Sequence, residues 1–198
     1  QYAPVQGMPE LRKALAQSNR RFYGLDVDWE TQTLVTAGAT EALAASFLAF
    51  LQPGDEAMLI APCYDSYAPI VESAGAIARF VRLQPPAWRI ERALLEAALT
   101  PKTRVLAVNS PHNPTGRVLT RDELQIIADV AIERDLIVIC DEVYEHLIFD
   151  GVPHIPLMSL PHMRERCVRI GSAGKTFSMT GWRIGYATGP ERLISGMM

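Results

Sequence analysis

Cysteine is scarce, with three residues in a chain of 198, at positions 63, 140 and 167. An odd number of widely separated cysteines cannot frame a disulfide scaffold, and no pair has the close spacing of a zinc site, so reduced, buried thiols are expected. Long apolar runs are missing as well. The stretches Ala42 to Leu51 and Leu136 to Cys140 are too short to cross a bilayer. No basic run occurs and the formal net charge is −3, which argues against a nucleic-acid groove as the main activity. No secretory signal pattern is visible in the first residues, and there is no internal repeat, low-complexity tract or linker. Hydrophobic residues make up 48% and charged residues 21%, which are globular values, and the length suffices for one substantial core. The thiols and the lack of spans point to a cytoplasmic protein.

What is present is an alternation of helix and strand patterns. Glu10 to Tyr23 has helical apolar spacing with Gly24 as its C-cap. Thr33 to Thr36 reads as a short strand, and Gly38 then opens an alanine-rich helix that ends before the turn Pro53-Gly54-Asp55. Glu56 to Ala61 and Ile77 to Leu83 read as strands around a helix over Tyr67 to Ala74. Ile90 to Leu99 is helical and Arg104 to Asn109 a strand. Thr120-Arg-Asp-Glu123 is a capping box that starts the clearest helix. Leu136 to Cys140 and Cys167 to Gly171 are apolar strands, and Trp182 to Gly189 reads as another. Runs of this kind suit a parallel sheet covered by helices on both faces, an α/β domain. The chain begins at Gln1 directly before a helical pattern and ends at Met198 within another, so a longer protein is expected.

In such a sheet, ligands sit beyond the carboxyl ends of the strands. The residues just past each strand are therefore the informative ones. "TAGATEAL", residues 36 to 43, turns at Gly38 into a helix N-terminus, which serves either as an anion seat or as an ordinary strand-to-helix turn. "NSPHNPTG", residues 109 to 116, is a proline-stiffened loop in which Asn109 and Asn113 present amides, to a ligand or merely to the turn. "ICDEVYEHLIF" places Asp141 directly after an apolar strand, where a carboxylate needs a cationic partner or several hydrogen bonds unless it caps the next helix. Glu142 and His146, four apart, suggest a metal pair on a helix only weakly, since no third ligand accompanies them; solvated side chains are expected instead, and no metal. "GSAGKTFSMTGWRIGY", residues 171 to 186, sets Lys175 among small and hydroxylated residues. It is neither a β-lactamase motif, whose partner motifs are absent, nor a P-loop, because position 169 is arginine. Taken alone, Lys175 could be a surface lysine.

Taken together, these stretches resemble the fold-type-I pyridoxal-phosphate (PLP) enzymes, specifically the class I/II aminotransferases. The resemblance runs in order through Tyr2 and Gly7 with Leu11-Arg12, the Gly38-Ala39-Thr40 turn, "PCYDSYAP", "NSPHNPTG", "DEVYE" and "SAGKTFSMTGWRIGY". The wording of "YDSYAP" and "GKTFSMTGWRIGY" is most similar to the methionine, kynurenine and glutamine–phenylpyruvate aminotransferase branch. It implies a three-layer α/β/α fold with a mostly parallel, mixed seven-stranded sheet.

The resemblance also implies roles. Lys175 would bond the PLP aldehyde through its amine and later move the substrate proton, a lysine being nucleophilic when neutral. Asp141 would pair with the pyridine nitrogen, while Asn113 and Tyr144 would hydrogen-bond the ring's phenolic oxygen. Tyr64 would stack on the ring. The phosphate would rest on the Gly38-Ala39-Thr40 turn, with Ser172 and Arg183 adding a hydroxyl and a charge, and Tyr2 would reach the phosphate of a neighbouring subunit in a homodimer. Residues 1–198 would then be most of a PLP-binding large domain, preceded by a segment that closes over the substrate. A small domain carrying the carboxylate-binding arginine would follow. The chain alone is expected to hold PLP weakly or not at all. The implied reaction is amino transfer from an amino acid of the methionine, glutamine, aromatic or kynurenine type to a 2-oxo acid. A PLP-dependent carbon–sulfur β-lyase and the aminotransferase-like domain of a transcription regulator remain as alternatives.

Overall fold

The computed structural model describes residues 4–198. Helix α1 (Pro9–Tyr23) leads to strand β1 (Thr33–Thr36), followed by α2 (Ala39–Phe50), β2 (Glu56–Ala61), α3 (Tyr67–Ser73), β3 (Ile77–Arg82), α4 (Arg92–Ala98), β4 (Thr103–Asn109), α5 (Arg121–Glu133), β5 (Ile137–Asp141), β6 (Cys167–Ser172), α6 (Ala173–Thr176), β7 (Gly185–Thr188) and α7 (Glu191–Gly196). The seven strands form one sheet in the order β1-β7-β6-β5-β4-β2-β3. Strands β3, β2, β4, β5 and β6 are mutually parallel, and β7 runs antiparallel to both β6 and β1. The expected mixed, mostly parallel sheet is therefore present.

Strand alternation divides the interior into two cores. Met58, Leu106, Val108, Val138 and Cys140 face α4 and α5, through Leu95, Leu124, Ile127 and Ala131. Their neighbours in the same strands, Leu59, Val105, Ala107 and Ile139, face α2, α3 and α7 through Leu43, Phe47, Val71 and Ile194. A strand buried on both sides has no polar face to show, which is why these segments read as unbroken apolar runs.

Two expectations are corrected. Trp182 to Gly189 is not one strand: Thr180–Trp182 is a turn of 3-10 helix, Arg183 has φ +52°, and β7 begins only at Gly185. A residue in the left-handed region cannot continue a pleated strand. The segment holding Glu142 and His146 is a series of turns rather than a helix, so their spacing of four carries no common face.

The capping box of α5 forms as written. The Thr120 side chain accepts from the Glu123 amide, and the Glu123 carboxylate accepts from the Thr120 amide. Glu123 also takes two 2.9 Å bonds from Arg117 and one of 3.0 Å from the Ile90 amide. The box thus ties α5 to the loops that flank it. Thr120→Ala is expected to cost about 1 kcal/mol of stability. Glu123→Ala should cost more, about 2–3 kcal/mol, because it also strips a half-buried arginine of its partner. Urea-unfolding midpoints check the order, and equal losses would deny Glu123 the larger role.

Candidate active site

The register of the sheet brings the predicted residues to one rim. Asn109, the last residue of β4, pairs with Asp141, the last of β5, and Asp141 in turn stands opposite Ile170 of β6. Gly185 of the antiparallel β7 lies between Ser172 of β6 and Thr36 of β1 in the ladder. The ends of β1, β4, β5 and β6 and the start of β7 therefore open on the same side.

A cavity of about 260 Å³ occupies that rim. Ala39, Thr40, Ser172 and Arg183 are among the residues that line it, as are Tyr64, Asn113, Asp141, Tyr144 and Lys175. Of the predicted residues, Gly38 underlies the Ala39 wall as the N-cap of α2, and Tyr2 lies outside the described residues.

The end made of the 38–40 turn suits an anion. Gly38 has φ +82°, and a Cβ there would meet Arg183 Nη2 at 2.5 Å. The guanidinium thus packs on bare backbone, next to the N-terminus of the 12-residue helix α2. Free amides, the helix dipole and a cation converge. The left-handed backbone at Arg183 is what turns its side chain back toward this spot.

Asp141 marks the opposite wall. It is 6% exposed, and Tyr67 Oη donates to its Oδ2 at 2.5 Å while the Val143 amide donates to Oδ1 at 3.4 Å. Burial pushes its carboxyl up to about 6, with Tyr67, Val143 and the Lys175 charge pulling the other way and Glu142 adding to the rise. The partner that the sequence demanded is therefore mainly a tyrosine hydroxyl. Lys175 sits half-buried in the last turn of the short α6, its Nζ 5.8 Å from the centre of the Tyr144 ring. Thr180 Oγ1 donates to the Gly174 carbonyl at 3.2 Å and holds the Lys175 turn against the loop leading to Arg183. Asn109, whose amide could serve a ligand or the turn, spends it within the protein: Nδ2 donates to the Asp141 carbonyl at 2.8 Å and Oδ1 accepts from the Asn113 amide at 2.6 Å. It positions two site segments at once.

Behind the cavity lies a buried charge cluster that the sequence reading missed. Glu142, expected to be solvated, is 3% exposed. Arg169 Nε donates to Glu142 at 2.6 Å, Nη2 to Glu145 at 2.8 Å and Nη1 to Asn19 of α1. His154 lies 3.0 Å from Glu142, and Tyr23 donates to Glu145 at 2.6 Å. Against burial, Arg169 and His154 hold Glu142 below the usual carboxylate range. Glu142, Glu145 and His154 stand close enough to suggest metal ligands, but the Arg169 guanidinium already supplies their cation. A lone arginine inside the apolar strand "CVRIGS" was the available signal, since such a charge requires buried acids. For Tyr67 the signal was its place three residues beyond Tyr64, at the start of a helix.

The family model for aminotransferase class I and II matches residues 1–198. The chain is 50% identical over its whole length to a probable N-succinyldiaminopimelate aminotransferase of Mycobacterium tuberculosis, covering 50% of that protein. It is 41% identical to the methionine aminotransferase of Escherichia coli, over 96% of this chain and 49% of that protein. The solved M. tuberculosis N-succinyldiaminopimelate aminotransferase superposes on the whole chain with a TM-score of 0.97, the chain covering 52% of it. The E. coli methionine aminotransferase structure does so at 0.96 and 40% identity, again with 52% of it covered. The chain thus spans about half the length of the curated relatives it matches.

The raised carboxyl of Asp141 has a consequence for stability. In the folded, cofactor-free protein it stays protonated to about pH 6, whereas unfolded it ionises near its ordinary 3.8. The neutral acid favours the folded state fully below that lower value, and the advantage is lost as pH rises through about 6. Asp141→Asn, neutral throughout, should therefore gain stability relative to the parent between about pH 4 and 6 and keep the gain above it. Denaturant midpoints of both proteins against pH test this, and a difference flat across the window would refute it.

Proposed function

Because the chain belongs to the class I and II aminotransferases, a family of pyridoxal-phosphate enzymes, we propose that the whole protein transfers an amino group from an amino acid to a 2-oxo acid with that cofactor. The observation that carries this reading is the convergence of Lys175, Asp141, Tyr144 and Asn113 with the Ala39–Thr40 helix start and Arg183 on one cavity.

The residues fit PLP by their chemistry. A half-buried amine, a buried acceptor, an aromatic wall and an anion seat backed by a glycine whose Cβ would collide with Arg183 are what an aldehyde-bearing pyridine phosphate requires. When bound, PLP supplies the aldehyde that captures an amine and the ring that draws electrons from the substrate's α-carbon. Among the residues lining the cavity, Lys175 carries the amine suited to bond that aldehyde and to take and return the α-proton. Asp141 would accept the ring N–H. Asn113 and Tyr144 would hydrogen-bond the phenolic oxygen, and Tyr64 would pack against the ring. The amides of Ala39 and Thr40, the Ser172 hydroxyl and the Arg183 guanidinium would hold the phosphate.

The relatives suggest donors of the methionine, aromatic, kynurenine or N-succinyldiaminopimelate kind. A panel of these with pyruvate and 2-oxoglutarate as acceptors identifies the pair. A cytoplasmic setting suits the free thiols of Cys63, Cys140 and Cys167. No helix among the described residues is long and apolar enough to cross a membrane. A homodimer is also proposed: Phe177 and Trp182, 70% and 73% exposed beside the Lys175–Arg183 segment, offer apolar area for a second subunit to cover.

Borohydride reduction of the whole protein loaded with PLP is expected to fix the cofactor covalently to Lys175, and Lys175→Ala to abolish turnover. A peptide map with the label on another residue would remove the assignment. Asp141→Ala should lose at least about 100-fold in kcat, an electrostatic contribution of roughly 3 kcal/mol. Undiminished turnover there would defeat the role given to the acid. For the dimer, mixing Tyr2→Phe subunits with Lys175→Ala subunits should restore part of the activity that each lacks, as measured in the assay above. No restoration from a mixture shown to exchange subunits would argue that each site is built from one chain.

A further inference from the structure

A buried side chain, Tyr67, touches two residues of the cavity wall without lining the cavity itself. Tyr67, at the start of α3, is 2% exposed. Its ring meets Tyr64 edge to face, with centroids 5.8 Å apart at 80°, and Phe47 of α2 at 6.2 Å. Its hydroxyl donates to Asp141 Oδ2 at 2.5 Å. We propose that Tyr67 is a positioning residue that decides where the proton shared between Asp141 and the cofactor's ring nitrogen resides, holding it on the nitrogen. This rests on the reading of the site as a PLP site.

The argument is one of competing bases. A carboxylate that already accepts a strong hydrogen bond is a weaker base toward a second proton. Burial alone would make Asp141 a strong base, ready to draw the ring proton to itself and leave the ring nitrogen neutral. Tyr67 counteracts this by donating to Oδ2. Oδ1 carries only the long bond from Val143, so the carboxylate keeps acceptor capacity toward the cavity. Tyr67 remains a donor throughout, because burial and the facing Asp141 push its phenol well above the ordinary range. The other ionisable groups around the pair are Lys175, which stabilises the carboxylate, and Glu142, which opposes it, with Cys63 and Tyr144 next to Tyr67. None of these hydrogen-bonds the Asp141 carboxylate, which sets Tyr67 apart. The same ring fixes Tyr64 from its edge, so one residue orients both the acid and the aromatic wall.

Tyr67→Phe keeps the ring contacts and removes only the hydroxyl. In the cofactor-free protein carrying 13C-labelled aspartate carboxyls, with Asp141→Asn to assign the resonance, the Asp141 midpoint is expected to rise by about one to two pH units, the worth of a hydrogen bond to a charged group. In the variant loaded with PLP labelled with 15N at the ring, the nitrogen resonance should move from the protonated toward the unprotonated position. The kcat should fall about tenfold with KM little changed. Tyr67→His, which restores a donor, should move both resonances back toward the parent. A Tyr67→Phe protein whose Asp141 midpoint and ring resonance match the parent's would overturn the inference. Borohydride labelling of Lys175 in the same sample keeps the two readings separate. Labelling with unmoved resonances sinks only the role of Tyr67, whereas absence of labelling in the parent sinks the PLP site itself and this inference with it.

Discussion

The site depends on how closely β7 approaches the turn between β1 and α2. Gly185 stands between Thr36 and Ser172 in the ladder, and a Cβ on it would overlap the backbone of Gly38 and Ala39. Only a residue without a side chain lets the antiparallel strand start there. That start brings Arg183, two residues earlier, over the bare backbone of Gly38. The anion seat, the lysine turn and the edge of the sheet are therefore coupled through a single close contact. A side chain at position 185 would push the helix N-terminus away from Ser172 and Lys175 together.

A second constraint lies beneath. The chain buries two carboxylates and an arginine between α1 and strands β5 and β6, an arrangement that stabilises little by itself compared with a well-packed apolar core. Its value here is geometric. Glu142 follows Asp141 directly, and Arg169 precedes Ser172 by three residues, so the ion pair fixes the acid-bearing and lysine-bearing segments relative to one another. Asn19 and Tyr23 bring α1 into the same cluster. Removing one member would leave an unpaired charge in the interior, which is costly enough to keep the set intact.

The polar chemistry of the cavity follows from this rigidity. Asp141 is an acid raised toward neutrality by burial and pulled back by a phenol, and Asn109 spends its amide holding the loops that carry Asp141 and Asn113. Groups of this kind act because they are held before a ligand arrives, at a rim where parallel strands end level.

Much was legible in the residues alone. Apolar runs of five or six residues between helical patterns gave the strands of a sheet buried on both faces, and Thr120 with Glu123 gave a helix start to the residue. The ordered stretches around Gly38, Tyr64, Asn113, Asp141 and Lys175 supply residues that line one cavity, because each follows a strand and its chemistry is local to a few neighbours. The turn at Arg183 was not legible, since "GWRIGY" has the composition of a strand and nothing in it marks position 183 for a left-handed backbone. Nor were the partners of Arg169 and Asp141. Tyr67 and Asp141 lie 74 residues apart, and Arg169 and Asn19 150. The sequence by itself determined which chemical groups would stand at the strand ends, because strand periodicity and turn residues are short-range properties. The tertiary structure alone decided which of them meet in the interior, because a buried charge or donor is satisfied by whatever the sheet order brings beside it, at any distance along the chain.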